Sequence, residues 1–210
     1  MKRITLSLVS MIALSSISFA GGDITPDPVP VVLEETAASY YVGIALADTS
    51  TRGSEVDLNF FDKNSGQDNL INITFNAGYE FNQYIAIEGR YTTDVSQQDS
   101  ADNMSGWSLF AKPQYPVSQD FTVYALLGFG GVTVEGGMFD ENHNYYPVDV
   151  DDIGFQWGLG VSYSLQSYTG YGVSIFADYT SLANDMDGVY GYFGLETDVD
   201  VLTVGVSYQF

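Results

Sequence analysis

The stretch that decides the fold runs from residue 71 to residue 81 and reads Ile-Asn-Ile-Thr-Phe-Asn-Ala-Gly-Tyr-Glu-Phe. Its odd-numbered positions are apolar or aromatic, and its even-numbered positions are polar or glycine. Because successive side chains of a β-strand point to opposite faces, this alternation predicts a strand with one apolar and one polar face. The length also suits a strand that crosses a bilayer, which needs about 9–11 residues. A strand of a soluble sandwich alternates as well, so the rest of the chain has to distinguish lipid from a soluble core.

Similar alternation recurs along the chain and predicts eight strands in all. They are Tyr40–Ala47, Ile71–Phe81, Tyr84–Thr93, Trp107–Val117, Phe121–Val132, Ile153–Leu165, Tyr171–Thr180 and Val201–Phe210. The pattern is weakest in the fifth segment, where the predicted outward face consists of Val123, Ala125, Leu127 and Phe129.

The connections between these segments alternate in length. Short ones at residues 82–83, 118–120 and 166–170 alternate with long, polar, acid-rich ones at residues 48–69, 94–106, 133–152 and 181–200. Transmembrane barrels have short turns at one end and long loops at the other. A sheet in hydrocarbon must also close on itself, because each unpaired backbone amide there costs several kcal/mol. Residues 38–210 are therefore predicted to form an all-β, eight-stranded antiparallel up-and-down transmembrane β-barrel.

The predicted outward faces are aliphatic in the middle and aromatic toward both ends of the strands. Two aromatic belts of this kind match the two membrane interfaces. Aromatic residues near the short turns are Tyr79, Phe81, Tyr84, Tyr115, Phe121, Tyr163, Tyr171, Tyr208 and Phe210. Those toward the long loops are Tyr91, Trp107, Phe129, Phe155, Trp157 and Tyr179.

The first 20 residues have the pattern of a secretory signal peptide, with cleavage predicted after Ala20. They combine Lys2 and Arg3, an apolar stretch and the small residues Ser18 and Ala20 at positions −3 and −1. A membrane anchor is the alternative, but the apolar stretch is short for a span of about 20 residues. Residues 21–37 contain three prolines and are interpreted as a Pro-rich periplasmic N-terminal segment that acts as an extended spacer.

The charge of the chain excludes one class of partner. The formal net charge is −21, and loss of Lys2 and Arg3 with the signal peptide leaves four basic residues against 27 acidic ones, a net charge of −23. A surface this acidic repels a phosphate backbone, so we expect no nucleic-acid partner. The chain contains no cysteine, which excludes both disulfides and the thioether anchor of a lipoprotein.

The predicted inward faces carry charged residues, which are Glu80, Glu88, Arg90, Lys112 and Asp178. An eight-stranded barrel leaves room inside only for side chains, and charges persist there only when they are paired. We therefore predict a structural charge network in which Glu88, Glu80 or Asp178 pairs with Arg90 and Lys112. The alternative is a gated path for ions.

The sequence predicts no catalytic, cofactor-binding or metal site. A single histidine, His143, lies in a long loop, and no rigid serine–histidine–acid set accompanies it. The acidic residues Asp149, Asp151 and Asp152, or Asp198 and Asp200, are candidate ligands for Ca²⁺, although they lack the spacing of an EF-hand loop. Tyrosines in the long loops are candidate contacts for a host or neighbouring surface; they are Tyr145, Tyr146, Tyr190 and Tyr192.

Three segments carry a resemblance to a known family: residues 84–91 (YIAIEGRY), 124–128 (YALLG) and 204–210 (VGVSYQF). Residues 38–210 resemble the small outer-membrane barrels that include the OmpA membrane domain, OmpX and the opacity-type proteins. The resemblance implies that Tyr208 and Phe210 form a C-terminal signal read by the barrel-insertion machinery. It also implies a bacterial outer-membrane location among lipid and lipopolysaccharide, and a monomer. The chain differs from full-length OmpA in that no peptidoglycan-binding domain follows the barrel. We therefore expect no anchoring to the cell wall through such a domain.

The expected function is that of a non-enzymatic, cofactor-free barrel with a structural or adhesive role, through long acidic extracellular loops and a host or cell-surface ligand. One alternative is a narrow porin or transporter for small solutes. Another is a lipid-modifying outer-membrane enzyme, which would depend on His143.

Overall fold

The computed structural model describes residues 38–53, 56–60, 67–94, 103–139, 145–186 and 197–210. The predicted signal peptide with its cleavage site at Ala20, the Pro-rich segment 21–37, His143, Tyr190 and Tyr192 lie outside the described residues.

The described residues form a closed antiparallel barrel in which each strand pairs with its neighbour in sequence and the last pairs with the first. The strands are β1 (Ser39–Gly53), β2 (Gln67–Asn82), β3 (Ile85–Asp94), β4 (Asn103–Pro116), β5 (Phe121–Phe139), β6 (Tyr145–Ser164), β7 (Val173–Met186) and β8 (Thr197–Gln209). A single helical turn, α1 (Gln166–Thr169), connects β6 to β7. The predicted eight-stranded up-and-down barrel is confirmed. Among the residues described, no helix has the length and apolarity needed to span a bilayer.

The alternation of the sequence becomes the two faces of the wall. On β1 the outward residues Val42, Ile44 and Leu46 are exposed, and the intervening Ala45 and Ala47 are buried inside. In β5, where the pattern is weak, Val123, Leu127 and Phe129 are exposed while Tyr124 and Leu126 are buried, which confirms the predicted direction. An exposed wall of aliphatic side chains around a bore that holds polar ones is the reverse of a soluble core.

Several strands are longer than predicted, always at the end that carries the long loops. β1 continues to Gly53, β5 to Phe139, and β6 begins already at Tyr145. The prediction was wrong there because apolar alternation ends where lipid ends, whereas backbone pairing continues with polar side chains. As a result β5 and β6 form a hairpin ladder that runs out to the pair Phe139 and Tyr145.

The ladders differ in extent. Within the described residues, β6 pairs with β7 only from Trp157 opposite Ser181 to Ser164 opposite Ser174. The closing ladder is longer, and it pairs β1 with β8 from Tyr41 opposite Gln209 to Gly53 opposite Thr197. Bulges near Ser181 and Ala183 separate the upper part of β7 from the regular register.

Glycines opposite large residues make the narrow interior fit together. Tyr41 faces Gly78 across the β1–β2 ladder, and Tyr124 faces Gly160 across the β5–β6 ladder. A Cβ atom at either glycine would lie only 2.3–2.6 Å from atoms of its tyrosine partner, too close for any real contact. Only glycine leaves room for these rings, because side chains already fill the interior of an eight-stranded barrel.

The bore of the barrel as the candidate functional site

The middle of the bore contains four ionised side chains, which we call the ionic layer: Glu88 and Arg90 on β3, Lys112 on β4 and Asp178 on β7. The Arg90 guanidinium donates to both Asp178 oxygens, Nη1 to Oδ1 and Nη2 to Oδ2, each at 2.8 Å. Its Nε donates to Glu88 Oε1 at 2.6 Å. One arginine therefore joins β3 to β7 across the barrel, in the two-pronged geometry that charged hydrogen bonds favour.

The second cation of the ionic layer completes the charge balance. Lys112 Nζ lies 2.9 Å from Glu88 Oε2, so each oxygen of Glu88 accepts from a different cation. The Glu88 and Asp178 side chains are fully shielded from solvent. Two cations and two carboxylates leave the layer with no net formal charge, which is the condition under which buried charges persist.

Two tyrosines contact the ionic layer, each through a hydrogen bond from its hydroxyl group and through its ring. Tyr41 donates its hydroxyl to Glu88 Oε2 at 2.5 Å, and Tyr124 donates to Asp178 Oδ2 at 2.7 Å. Lys112 Nζ lies 4.3 Å from the centroid of the Tyr124 ring and 4.9 Å from that of Tyr41. Both distances are within reach of a cation–π interaction.

Glu80 lies apart from the cations with which it was predicted to pair. Its carboxylate accepts from Gln114 Nε2 at 3.3 Å and from Gln209 Nε2 at 2.7 Å. The residue lies near the short-turn end of β2, next to the turn into β3, and its half-buried position allows amides to solvate it. Of the five predicted network residues, the structure brings together Glu88, Arg90, Lys112 and Asp178.

A second obstruction, which we call the apolar layer, fills the bore nearer the long loops. Its buried members are Ala47, Met104, Val132, Leu182, Ala183, Val199 and Val201. Between the two layers lies a cavity of about 10 Å³, lined by Arg90, Leu182, Val201 and the hydroxyls of Thr74, Thr92, Ser108, Thr180 and Thr203. That volume suits at most one water molecule, so this space between the two layers is too small to serve as an aqueous channel.

Asp198 and Asp200, which the sequence offers as candidate Ca²⁺ ligands of a long loop, lie in a strand. Both belong to β8, and Arg52 of β1 lies 2.9 Å from a carboxylate oxygen of each. Arg52 therefore already pairs with both of these candidate ligands and offsets one of their two negative charges. Within the described part of the chain, no group of three or more acidic, histidine or cysteine side chains has the arrangement of a metal site. Asp151 accepts a hydrogen bond from Thr133 Oγ1 at 2.6 Å.

Sequence reasoning missed the tyrosine hydroxyls and Arg52. Tyr124 lies at an inward position of the weakly alternating β5, opposite a glycine, and that combination was the available signal. Arg52 was assigned to a loop because no apolar alternation surrounds it. Its pairing with Asp198 became visible only from the register of β1 with β8.

A closed barrel with an apolar outer wall, exposed aromatic rings toward both rims and ionised groups in its bore defines an integral membrane β-barrel. Residues 6–210 match the family described as "Outer membrane protein beta-barrel domain". The chain belongs to this family, and it is a protein of the bacterial outer membrane. By the general orientation of such barrels, the long loops are extracellular and the short turns are periplasmic.

Solved structures give the same fold. The chain is similar to the attachment invasion locus protein Ail of Yersinia pestis, with 17% identity, a TM-score of 0.54 and coverage of 83% of this chain and 99% of Ail. For the Neisserial surface protein A (NspA) the identity is 16%, the TM-score is 0.54 and the coverage is 83% and 99%. A further Ail structure, in complex with the heparin analogue sucrose octasulfate, has 15% identity, a TM-score of 0.52 and the same coverage. No curated protein sequence matches the chain.

Proposed function

We propose that this chain is a non-enzymatic surface barrel with a closed bore, which acts through contacts made by its extracellular end. The observation that carries the proposal is the presence of two successive obstructions in the bore, the ionic layer and the apolar layer. A porin needs a continuous polar channel, and eight strands rarely leave one. The structural and adhesive roles are thereby favoured over transport.

Charge indicates the kind of partner. The chain has 27 acidic residues against six basic ones, and two of the six precede the barrel. Arg52, Arg90 and Lys112, the basic residues of the described ranges, are all engaged in ion pairs. A polyanion such as sucrose octasulfate, which Ail binds in one structure, would meet like charge at this surface. We therefore expect the partner to present positive groups, since opposite potentials steer association.

The β5–β6 hairpin is the element best placed to present this surface. It extends past the last pair of the β4–β5 ladder, Asn103 opposite Glu135, and contains Asp149, Asp151 and Asp152. A paired ribbon is stiffer than a loop, so a contact on it loses less conformational entropy on binding.

Binding to charged beads tests the proposal. The purified barrel in phosphatidylcholine vesicles is expected to bind polylysine-coated beads at low salt and to release them at high salt. It is not expected to bind heparin-coated beads. Replacement of Asp149, Asp151 and Asp152 by Asn should reduce binding more than the charge-matched replacement of Asp185, Asp187 and Glu196 by their amides. Equal losses in the two variants would contradict the role of the hairpin, and preferential capture by heparin would overturn the charge argument.

Conductance separates the proposal from transport. In a planar bilayer the wild-type barrel is expected to show no sustained channel activity. Regular single-channel steps from the unmodified protein would favour the narrow porin instead.

A further inference from the structure

Polar residues are buried on the outer side of the wall, where side chains normally contact lipid or water. Ser50 of β1, Asp200 of β8 and Gln67 of β2 have exposed fractions of 0%, 1% and 5%. Their positions alternate in phase with the outward residues of the same strands, such as Leu46, Val204 and Ile71. Outward groups become this buried only when another part of the chain covers them.

The cover includes Val56–Phe60, the part of the first extracellular loop that the structure describes. Arg52 Nη1 donates to the carbonyl oxygen of Val56 at 2.9 Å. Asn59 donates its backbone N–H to Gln67 Oε1 at 3.1 Å, and Gln67 Nε2 donates back to the carbonyl oxygen of Asn59 at 2.5 Å. The Phe60 ring meets the Tyr179 ring edge-on, with 6.4 Å between the centroids. The segment thus contacts side chains of β1, β2 and β7.

An ion cluster lies under this segment. Arg52 is directly opposite Asp198 in the β1–β8 ladder and opposite Gln67 in the β1–β2 ladder. Its guanidinium bonds Asp198 and Asp200 at 2.9 Å each, and Tyr179 donates its hydroxyl to Asp200 Oδ1 at 2.5 Å. The cluster therefore joins β7, β8 and β1 through side chains, in addition to the backbone ladder.

These contacts surround the junction at which the barrel closes. β1 and β8 are the first and last strands, so their pairing closes the longest loop in the chain and is the most costly in entropy. At the periplasmic end, Tyr40 and Phe210 exchange backbone hydrogen bonds, and Gln209 Nε2 donates to Ser39 Oγ at 2.5 Å. The extracellular end has the Arg52 cluster instead.

We infer that Val56–Phe60 is a clasp, a segment of this chain that folds back over the outer wall and holds the β1–β8 junction shut at its extracellular end. The clasp keeps water and salt away from Arg52, Asp198 and Asp200, and their ion pairs in turn hold the clasp through Val56. Arg52 is thereby occupied within the chain rather than offered to anionic lipid.

Thiol labelling of the folded barrel tests the clasp. The chain has no native cysteine, so Leu58→Cys, at a half-buried clasp position, reports accessibility to a water-soluble maleimide. Arg52→Gln in this background is expected to raise the labelling rate about tenfold or more and to lower the urea midpoint of unfolding. Gln119→Ala, which alters an exposed polar residue in the turn between β4 and β5, is the control and should change neither.

A milder variant keeps the test decisive if Arg52→Gln does not fold. Tyr179→Phe retains the ring that meets Phe60 but removes the hydrogen bond to Asp200, and it should raise the labelling rate by a smaller factor. Arg52→Lys retains the charge without the fork and should fall between wild type and Arg52→Gln. The inference is overturned if the Leu58→Cys protein alone is labelled as fast as the same protein carrying a substitution of Arg52 or Tyr179 that still folds.

Discussion

The ring of Tyr41 lies in the space that a side chain at Gly78 would occupy, with the two residues opposite each other in the β1–β2 ladder. The same ring places its hydroxyl on Glu88 and lies beside Lys112. A glycine in one strand therefore positions a tyrosine of the next, and the tyrosine positions a carboxylate of the ionic layer.

Gly78→Ala is expected to destabilise the barrel by about 1–3 kcal/mol, because an added methyl group forces the Tyr41 ring away from Glu88. Gly89→Ala is the control, since a Cβ there meets no atom closer than 3.9 Å. Urea unfolding in lipid vesicles measures both. Equal stability of the two variants would show that the ring is not confined by Gly78.

Lys112→Met should cost about 3–5 kcal/mol, because it leaves the buried Glu88 carboxylate with one cation for two oxygens. Adding Glu88→Gln to Lys112→Met should recover part of the loss, since the remaining Arg90–Asp178 pair is again neutral. The temperature at which each variant unfolds, read from its shift in mobility on a gel, ranks the variants by stability. A double variant that loses the sum of the two single effects would contradict the coupling.

Tyr124→Phe is expected to lower the free energy of unfolding by about 1.5–3 kcal/mol, the usual range for a hydrogen bond to a charged group. The hydroxyl that it removes donates to Asp178. Tyr115→Phe changes an exposed ring on the outer wall and should leave the urea midpoint near that of wild type. The comparison fails as evidence for the network if both substitutions have the same effect.

The two layers of the bore are expected to block it in series. Met104→Ser with Leu182→Ser opens the apolar layer, Lys112→Ala opens the ionic layer, and either change alone should leave a planar bilayer without channel steps. The three substitutions together should produce ohmic steps. Conductance from the Met104 and Leu182 variant alone would show that the ionic layer does not obstruct ions.

Phe210→Ala should reduce the amount of folded barrel in cells several-fold, if the C-terminal residues act as the assembly signal that the family resemblance implies. Phe81→Ala is matched to it, since both rings are exposed at the periplasmic end of the wall. The yield of heat-modifiable barrel in outer-membrane fractions, compared with refolding of purified protein in vesicles, separates assembly from stability. Parallel losses in the two variants would count against a role specific to Phe210.

The wall was predictable from the sequence because lipid on one side and a polar bore on the other impose alternation on every strand. Even in β5, the position of Leu127 on the outer face followed from that rule. The strand ends were not predictable, since above the membrane the outer face of β1 carries Asp48, Ser50 and Arg52 instead of apolar residues. Above the membrane, the length of a strand depends on backbone pairing with its neighbouring strand. The contrast between lipid and a polar bore no longer imposes a pattern on the sequence there.

The composition of the bore was predictable, but which of its side chains pair with each other was predictable only in part. Inward positions could be recognised one strand at a time, whereas the level of each residue depends on the stagger between strands. This is why Glu80 was grouped with the cations although it lies at the level of Gln209. For the same reason Asp198 was interpreted as a loop residue and a candidate Ca²⁺ ligand, although it lies in β8 opposite Arg52.

The short β6–β7 ladder has a mechanical consequence. Its regular register ends at Trp157 and Ser181, whereas the closing ladder is fastened at both ends. A pulling force applied through the extracellular side of the protein would meet its least resistance between β6 and β7. Extraction from the membrane should therefore separate β7 and β8 from β6 together, as a hairpin. The contact between β8 and β1 would be among the last in the wall to break.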